Sequence, residues 1–225
     1  MSLERSAVFL STTDGCDKVL RLAGYGLLFG TRTASGPERA AQLAAASNNL
    51  MLGRLILRRL GDIPMWIAFR QHLKYGKKKD DVWNYYLKNL SLGAYVLFYP
   101  VEHLAWLSGL GLLPFKSKPL ETATIVIWMV ALTANIVRCC HRVLRLSSSI
   151  HKSASDDDKD LTKQYRRERL GELWSLLSSS CDFINAVNFL PKDSFLWAGS
   201  LPAWKVGALG TISSLIMLKN ALGSY

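Results

Sequence analysis

TATIVIWMVALTANIV, residues 122–137, carries no charged side chain and stands between Glu121 and Arg138. A helix needs about 20 residues to cross the hydrocarbon core of a bilayer, and this run with its flanks comes to that length. Two further stretches raise the same question. Leu90 to Leu113 is apolar but broken by Pro100, Glu102 and His103. Val206 to Leu218, VGALGTISSLIML, is charge-free and short, and it reaches spanning length only with Trp204, Lys205 and Lys219 at the two interfaces. Three such stretches in one basic chain predict an all-α, multi-pass integral membrane protein built of amphipathic helices and helical hairpins.

The composition points the same way. Of 225 residues 49% are hydrophobic, seven are Trp, and the formal net charge is +11. A chain both apolar and basic suits an acidic lipid surface at least as well as a polynucleotide. Nucleic acid is set aside as a partner, because no recognised fold motif supports it and it leaves the charge-free stretches unexplained. Cys16, Cys139, Cys140 and Cys181 have no C-x-x-C spacing, so neither a metal site nor a disulfide framework is expected. The opening MSLERSAVFL makes a poor secretory signal, and the terminal Gly-Ser-Tyr is neither a peroxisomal matrix nor an endoplasmic-reticulum address.

The search for chemistry returns little, and the expectation is a protein that is not an enzyme and has no cofactor. GYGLLFG, residues 24–30, holds the first two glycines of a dinucleotide fingerprint but follows a helical pattern, which suits close helix packing. DDDKD, residues 156–160, lacks the glycine and glutamate of a calcium loop and reads as a solvated turn. Glu102 and His103 are the one acid and imidazole in apolar surroundings, and a paired kink after Pro100 accounts for them. No nucleophile has a neighbouring base.

Outward from the apolar run, the segment DIPMWIAFRQHLKYGKKKDD, residues 62–81, is the next most informative. From Pro64, a helix at 100° per residue gathers Met65, Trp66, Phe69 and Leu73 into an arc of about 100°, with Arg70 and Lys74 away from it. Arg54 and Arg58 stand one turn apart just before, and Lys77, Lys78 and Lys79 just after. The reading is an amphipathic helix near 50–76 whose apolar set enters lipid while these arginines and lysines meet acidic headgroups, the three lysines alternatively contacting an import receptor. In the last stretch Gly207 with Thr211, and Gly210 with Ser214, are small residues four apart that let helices approach closely, between chains or within one. Cys139 and Cys140, at the end of the apolar run, are candidate acylation sites.

The remaining organisation is helical: a first helix after Thr13 and Asp14, a loop over Gly30 to Pro37, an alanine-rich helix from Glu38, a membrane-associated segment at 84–113, a polar loop from Arg138, and a helix over 161–189.

Three blocks carry a family resemblance: DGCDKVLRLAGYG near the start, FYPVEHLAWLSGLGLL in the centre, and DFINAVNFLPKDSFLWAGSLPAWKVGALGTISSL near the end. In that order they resemble the peroxisomal biogenesis factor 11 family, gamma (C) type, over nearly the whole chain. The chain departs from the family at Cys16, where arginine is common, and at Lys205, which interrupts the start of the last span.

The resemblance implies a peroxisomal membrane protein with both termini cytosolic. Residues 1–120 would be a cytosolic-side helical region, followed by spans at 121–138 and 204–220, with 139–203 between them and a short tail at 221–225. It implies elongation and division of the organelle through helix insertion and self-association. Its partners would be acidic peroxisomal lipids, itself, other family members, a fission adaptor with a dynamin-type GTPase, and the peroxisomal membrane-protein import receptor. The alternative reading is a channel or small-solute pore, drawn from Glu102, His103 and Asn135 in or near apolar stretches. Two spans would put the basic segment 138–169 in the lumen, against the positive charge expected on the cytoplasmic side. A hairpin at 90–113 and 120–137 avoids that conflict, but the family arrangement is the one expected, because insertion into peroxisomes after synthesis need not obey a rule drawn mainly from translocon substrates.

Overall fold

The computed structural model describes residues 3–58, 61–76, 81–155 and 158–223, and every regular element among them is a helix. A short α1 (Leu3–Leu10), not expected from the sequence, precedes α2 (Thr13–Gly30). The hydroxyl of Thr12, one residue ahead of the expected pair, caps α2 by accepting from the Gly15 N–H at 3.0 Å. After a 3-10 turn at Thr31–Thr33, Pro37 opens α3 (Pro37–Leu57); a proline loses nothing in a first turn, where its missing N–H has no partner to find. α4 is Asp62–Tyr75, and α5 runs Val82–Gly109 straight through Pro100. The Asp81 carboxylate caps α5 from the Trp83 N–H at 3.0 Å, and Gly111, at φ 73, takes the left-handed turn that stops it.

α6 (Ser117–Ser155) has 39 residues and absorbs most of the stretch expected as a polar loop. The correction has a local cause. From Arg138 to Ser155 there is no glycine or proline, and Cys139 and Leu146, two turns apart, are both buried on a helix that packs against α7. α7 (Lys159–Phe189) then returns along α6, and α8 (Ala203–Leu222) returns along α7.

Neighbouring helices follow the order α3, α2, α8, α7, α6, α5, α4. Glycine permits the α2–α8 contact: a Cβ at Gly207 would run into the backbone of Phe29, and one at Gly210 into the Tyr25 ring. α3 and α5 meet through an Arg58–Glu102 ion pair at 2.7 Å, which draws the two flanks of the array together around a cavity. Among the described residues one helix, over Ser117–Ser153, is long and apolar enough to cross a membrane. α5 and α8 do not reach the same mean hydropathy, because serines, tyrosines, asparagines and lysines dilute their apolar residues.

Candidate membrane interface

Buried charge organises the interior. The Arg21 guanidinium donates to Asp182 at 2.5 Å, to Ser213 at 2.8 Å and to Ser214 at 3.1 Å, which ties α2 to both α7 and α8. Arg54 grips Asp17 with two parallel bonds, Nε to Oδ1 at 3.0 Å and Nη2 to Oδ2 at 3.2 Å. Arg138 meets Glu172 at 3.2 Å and Asn135 at 3.0 Å, while Asn135 donates to Ser179 at 2.7 Å, so α6 and α7 are held by polar contacts at the end of the apolar run. Asn185, fully buried, donates to the Val206 carbonyl at 3.1 Å.

The outside is the reverse. Trp83, Tyr86, Leu90, Leu97 and Leu104 form an exposed stripe along α5, and Val126, Val130, Val137 and Leu144 form another along α6. Ile63, Trp66, Ile67 and Leu73 cover the outer side of α4. Contiguous apolar surface on this scale marks an interface with something apolar. Polar inside with apolar outside is the arrangement a bilayer selects, since lipid cannot satisfy buried-type polar groups and water cannot shelter these side chains.

The expected apolar arc of α4 divides between these two environments. Trp66 (50% exposed) and Leu73 point outward, whereas Met65 lines the cavity and the Phe69 ring lies over Gly93 of α5. The expected headgroup set divides as well. Arg70 and Lys74 are exposed on α4, but Arg54 and Arg58 are engaged by Asp17 and Glu102 inside the bundle. Lys77, Lys78 and Lys79 lie outside the described residues.

The small residues of α8 face inward. Gly207 and Gly210 admit α2, Ser214 accepts from Arg21, and the Thr211 hydroxyl donates to the Gly207 carbonyl of its own helix. Cys139 is wholly buried and Cys140 exposed, which narrows the acylation expectation to Cys140. The pairs Arg21–Asp182 and Arg54–Asp17 went unread in the sequence; their only signal is a lone charge within an apolar run, such as Asp182 in CDFINAV.

The interior of α6 is tied by charge to the residue that caps α5. Asp81 meets Arg145 at 3.0 Å and His141 at 3.6 Å. Partial burial alone would raise the Asp81 carboxyl, but the Trp83 N–H, Arg145 and His141 outweigh it and hold it below the usual aspartate value.

The model of the family described as peroxisomal biogenesis factor 11 matches residues 3–222. Peroxisomal membrane protein 11C of Homo sapiens is 31% identical over 98% of this chain and 94% of its own length. Its namesake in Mus musculus is 30% identical over the same shares. No solved structure matches the chain.

Proposed function

Because the chain belongs to the peroxisomal biogenesis factor 11 family, we propose that it remodels the peroxisomal membrane, promoting elongation and division of the organelle. The observation that carries this reading is the outer face of α4, where Trp66, Leu73, Ile63 and Ile67 stand exposed beside Arg70 and Lys74. Such a face wedges into the outer leaflet: the apolar side chains spread the lipids while the cations hold the headgroups. Each cation near an anionic surface adds about 1 kcal/mol, and burying a large apolar side chain contributes about 1.5–3 kcal/mol. The apolar set therefore dominates. Self-association, and contact with family members and a fission adaptor with its dynamin-type GTPase, would concentrate the asymmetry along a tubule.

The test uses full-length protein on anionic liposomes. Trp66→Glu with Leu73→Glu is expected to abolish tubulation while thermal stability in detergent stays within about 0.5 kcal/mol, as for other surface changes. Tubulation at the wild-type level would falsify the wedge.

The helix order also bears on topology. Arg138 lies beside Glu172, Ser178 beside Ser213 and Trp174 beside Lys219, so α6, α7 and α8 alternate in direction. With 121–138 across the bilayer, α7 passes back along it, and the basic 138–169 segment sits on the same side as the end of α8. We place that segment in the cytosol with the termini, α5 then crossing antiparallel to α6 in place of an all-cytosolic 1–120 region, which satisfies the positive-inside preference that two spans alone would violate. A protease-sensitive tag inserted at Ser155 should be cut on intact organelles without detergent; protection would return the segment to the lumen.

A second reading, a small-solute pore, draws on the charged cavity between the helices. Planar-bilayer conductance of the purified protein separates it from a remodeller.

A further inference from the structure

We propose that the cavity between α2, α3, α5, α6 and α7 holds the headgroup of one zwitterionic phospholipid. The inference rests on the membrane reading above, and not on the α4 wedge.

The cavity has a volume of about 560 Å³, the size of a small-molecule site. Its walls are of two kinds. One carries Arg21, Arg54 and Arg58 with Asp17, Glu102 and Asp182, each guanidinium bonded to a carboxylate from another helix. Lys18 and Asp14 add a fourth pair at the rim. The charges of this wall cancel. A ligand of net charge would therefore keep that charge uncompensated in a low-dielectric space, whereas one carrying both signs finds a partner for each.

Two features show where each sign would sit. The Arg58 Nε is buried with no acceptor, although the same guanidinium reaches Glu102 through Nη2. An N–H left in that state keeps its full desolvation penalty, and a phosphate oxygen would satisfy it. Beside it, Phe98 stands edge-to-face with Tyr95 at 6.3 Å and with Tyr99 at 5.5 Å, and all three rings line the cavity. Ring faces attract an ammonium, and Phe98 already receives a cation, with the Arg58 guanidinium carbon 5.8 Å from its centroid.

The opposite wall separates a lipid from a soluble phosphate ester. Ile125 and Leu132 of α6 offer no polar contact to a free headgroup, and the Trp128 indole N–H is already bonded to Tyr95, so this side suits the glycerol and first methylenes of an acyl chain. These residues belong to the same apolar run whose other face is exposed at Val126 and Val130.

The experiment is native mass spectrometry of the full-length protein in detergent, after exchange against mixed phosphatidylcholine and phosphatidylglycerol. One phosphatidylcholine per chain should survive detergent washing that strips the rest, with phosphatidylglycerol retained at least tenfold less. Glycerophosphocholine, the headgroup without chains, should not displace it. Arg58→Gln should cut the retained fraction about tenfold. Since that change leaves Glu102 without its ion-pair partner, Leu132→Trp serves as the second variant: it fills the cavity from the apolar wall, leaves each ion pair intact, and should lose the lipid with an unchanged circular dichroism spectrum.

Several results would overturn the proposal: no retained lipid, equal retention of phosphatidylglycerol, displacement by glycerophosphocholine, or undiminished lipid in Leu132→Trp. A conductance in planar bilayers that Leu132→Trp blocks would do the same, by making the cavity a solute path. Tubulation by Leu132→Trp should stay at the wild-type level, so a failure of the wedge and a failure of the lipid site are read separately.

Discussion

Arginine does two different jobs in this molecule. Inside the bundle Arg21, Arg54 and Arg58 each close an ion pair between helices; on the outer side of α4, Arg70 stands exposed next to Lys74. The residue type is the same, and the neighbours decide its role. A guanidinium shut away from water is held by its carboxylate because the alternative is an uncompensated buried charge. An exposed one is left available to whatever anionic surface approaches. The comparison teaches that basic residues divide by the side of the helix they occupy, and that only the outer set lies open to an anionic surface.

The largest effect expected on the inner side follows from removing one member of a pair. Asp182→Leu should destabilise the protein by about 3–5 kcal/mol in a denaturant titration in detergent, because Arg21 is then buried unpaired. The double change with Arg21→Met should recover most of that loss. A single-variant cost below about 1 kcal/mol would mean that water reaches Arg21, and the contrast between inside and outside would collapse.

A smaller effect sharpens the role of α8. Gly210→Leu should cost about 1–3 kcal/mol by forcing α8 off the Tyr25 ring, with the self-association measured by light scattering unchanged. Lost self-association at unchanged stability would show the glycine face working between chains.

The smallest effect lies at the clip joining α5 to α6. Asp81→Ala should cost about 1 kcal/mol at neutral pH through the lost helix cap. Because the folded carboxyl is held below its usual value, its contribution is present in full above the unfolded value of about 3.9 and fades as pH falls through the folded one. Melting curves of wild type and variant should therefore differ at pH 6, keep most of that gap down to the usual aspartate value, and converge only as pH falls well below it. A constant gap would assign the whole effect to the lost side chain and none to its charge.

Helices were easy to read in the sequence, and their partners were not. The run at 122–137 announces a helix because it has no breaker and no charge. Capping near Thr13, the alanine-rich run from Glu38 and the helical pattern within 161–189 are equally local signals. Local signals also misled. The serines and arginines after Arg138 look like a loop, yet two buried side chains at helical spacing suffice to carry α6 to Ser155.

The wheel drawn from Pro64 found a real helix but could not divide its apolar arc. Whether Met65 and Phe69 face lipid or protein depends on where α5 lies, a contact made some twenty to thirty residues further along the chain. The same holds for Arg54 and Asp182: their partners stand 37 and 161 residues away in sequence, and no periodicity reports such a distance.

The length of α6 has a mechanical consequence. On the proposed placement of 121–138 across the bilayer, the helix would continue from Cys139 to Ser155, about 25 Å further along its axis. That overhang is braced by α7 through Arg138, Arg142, Glu168 and Glu172, so it stands as a stiff post and not a floppy tether. Its tip would stand about two Debye lengths beyond the headgroups, where most of the field of the lipids is screened. A partner bound there would stand at a fixed distance from the bilayer, so that the post would gauge the spacing between membrane and partner.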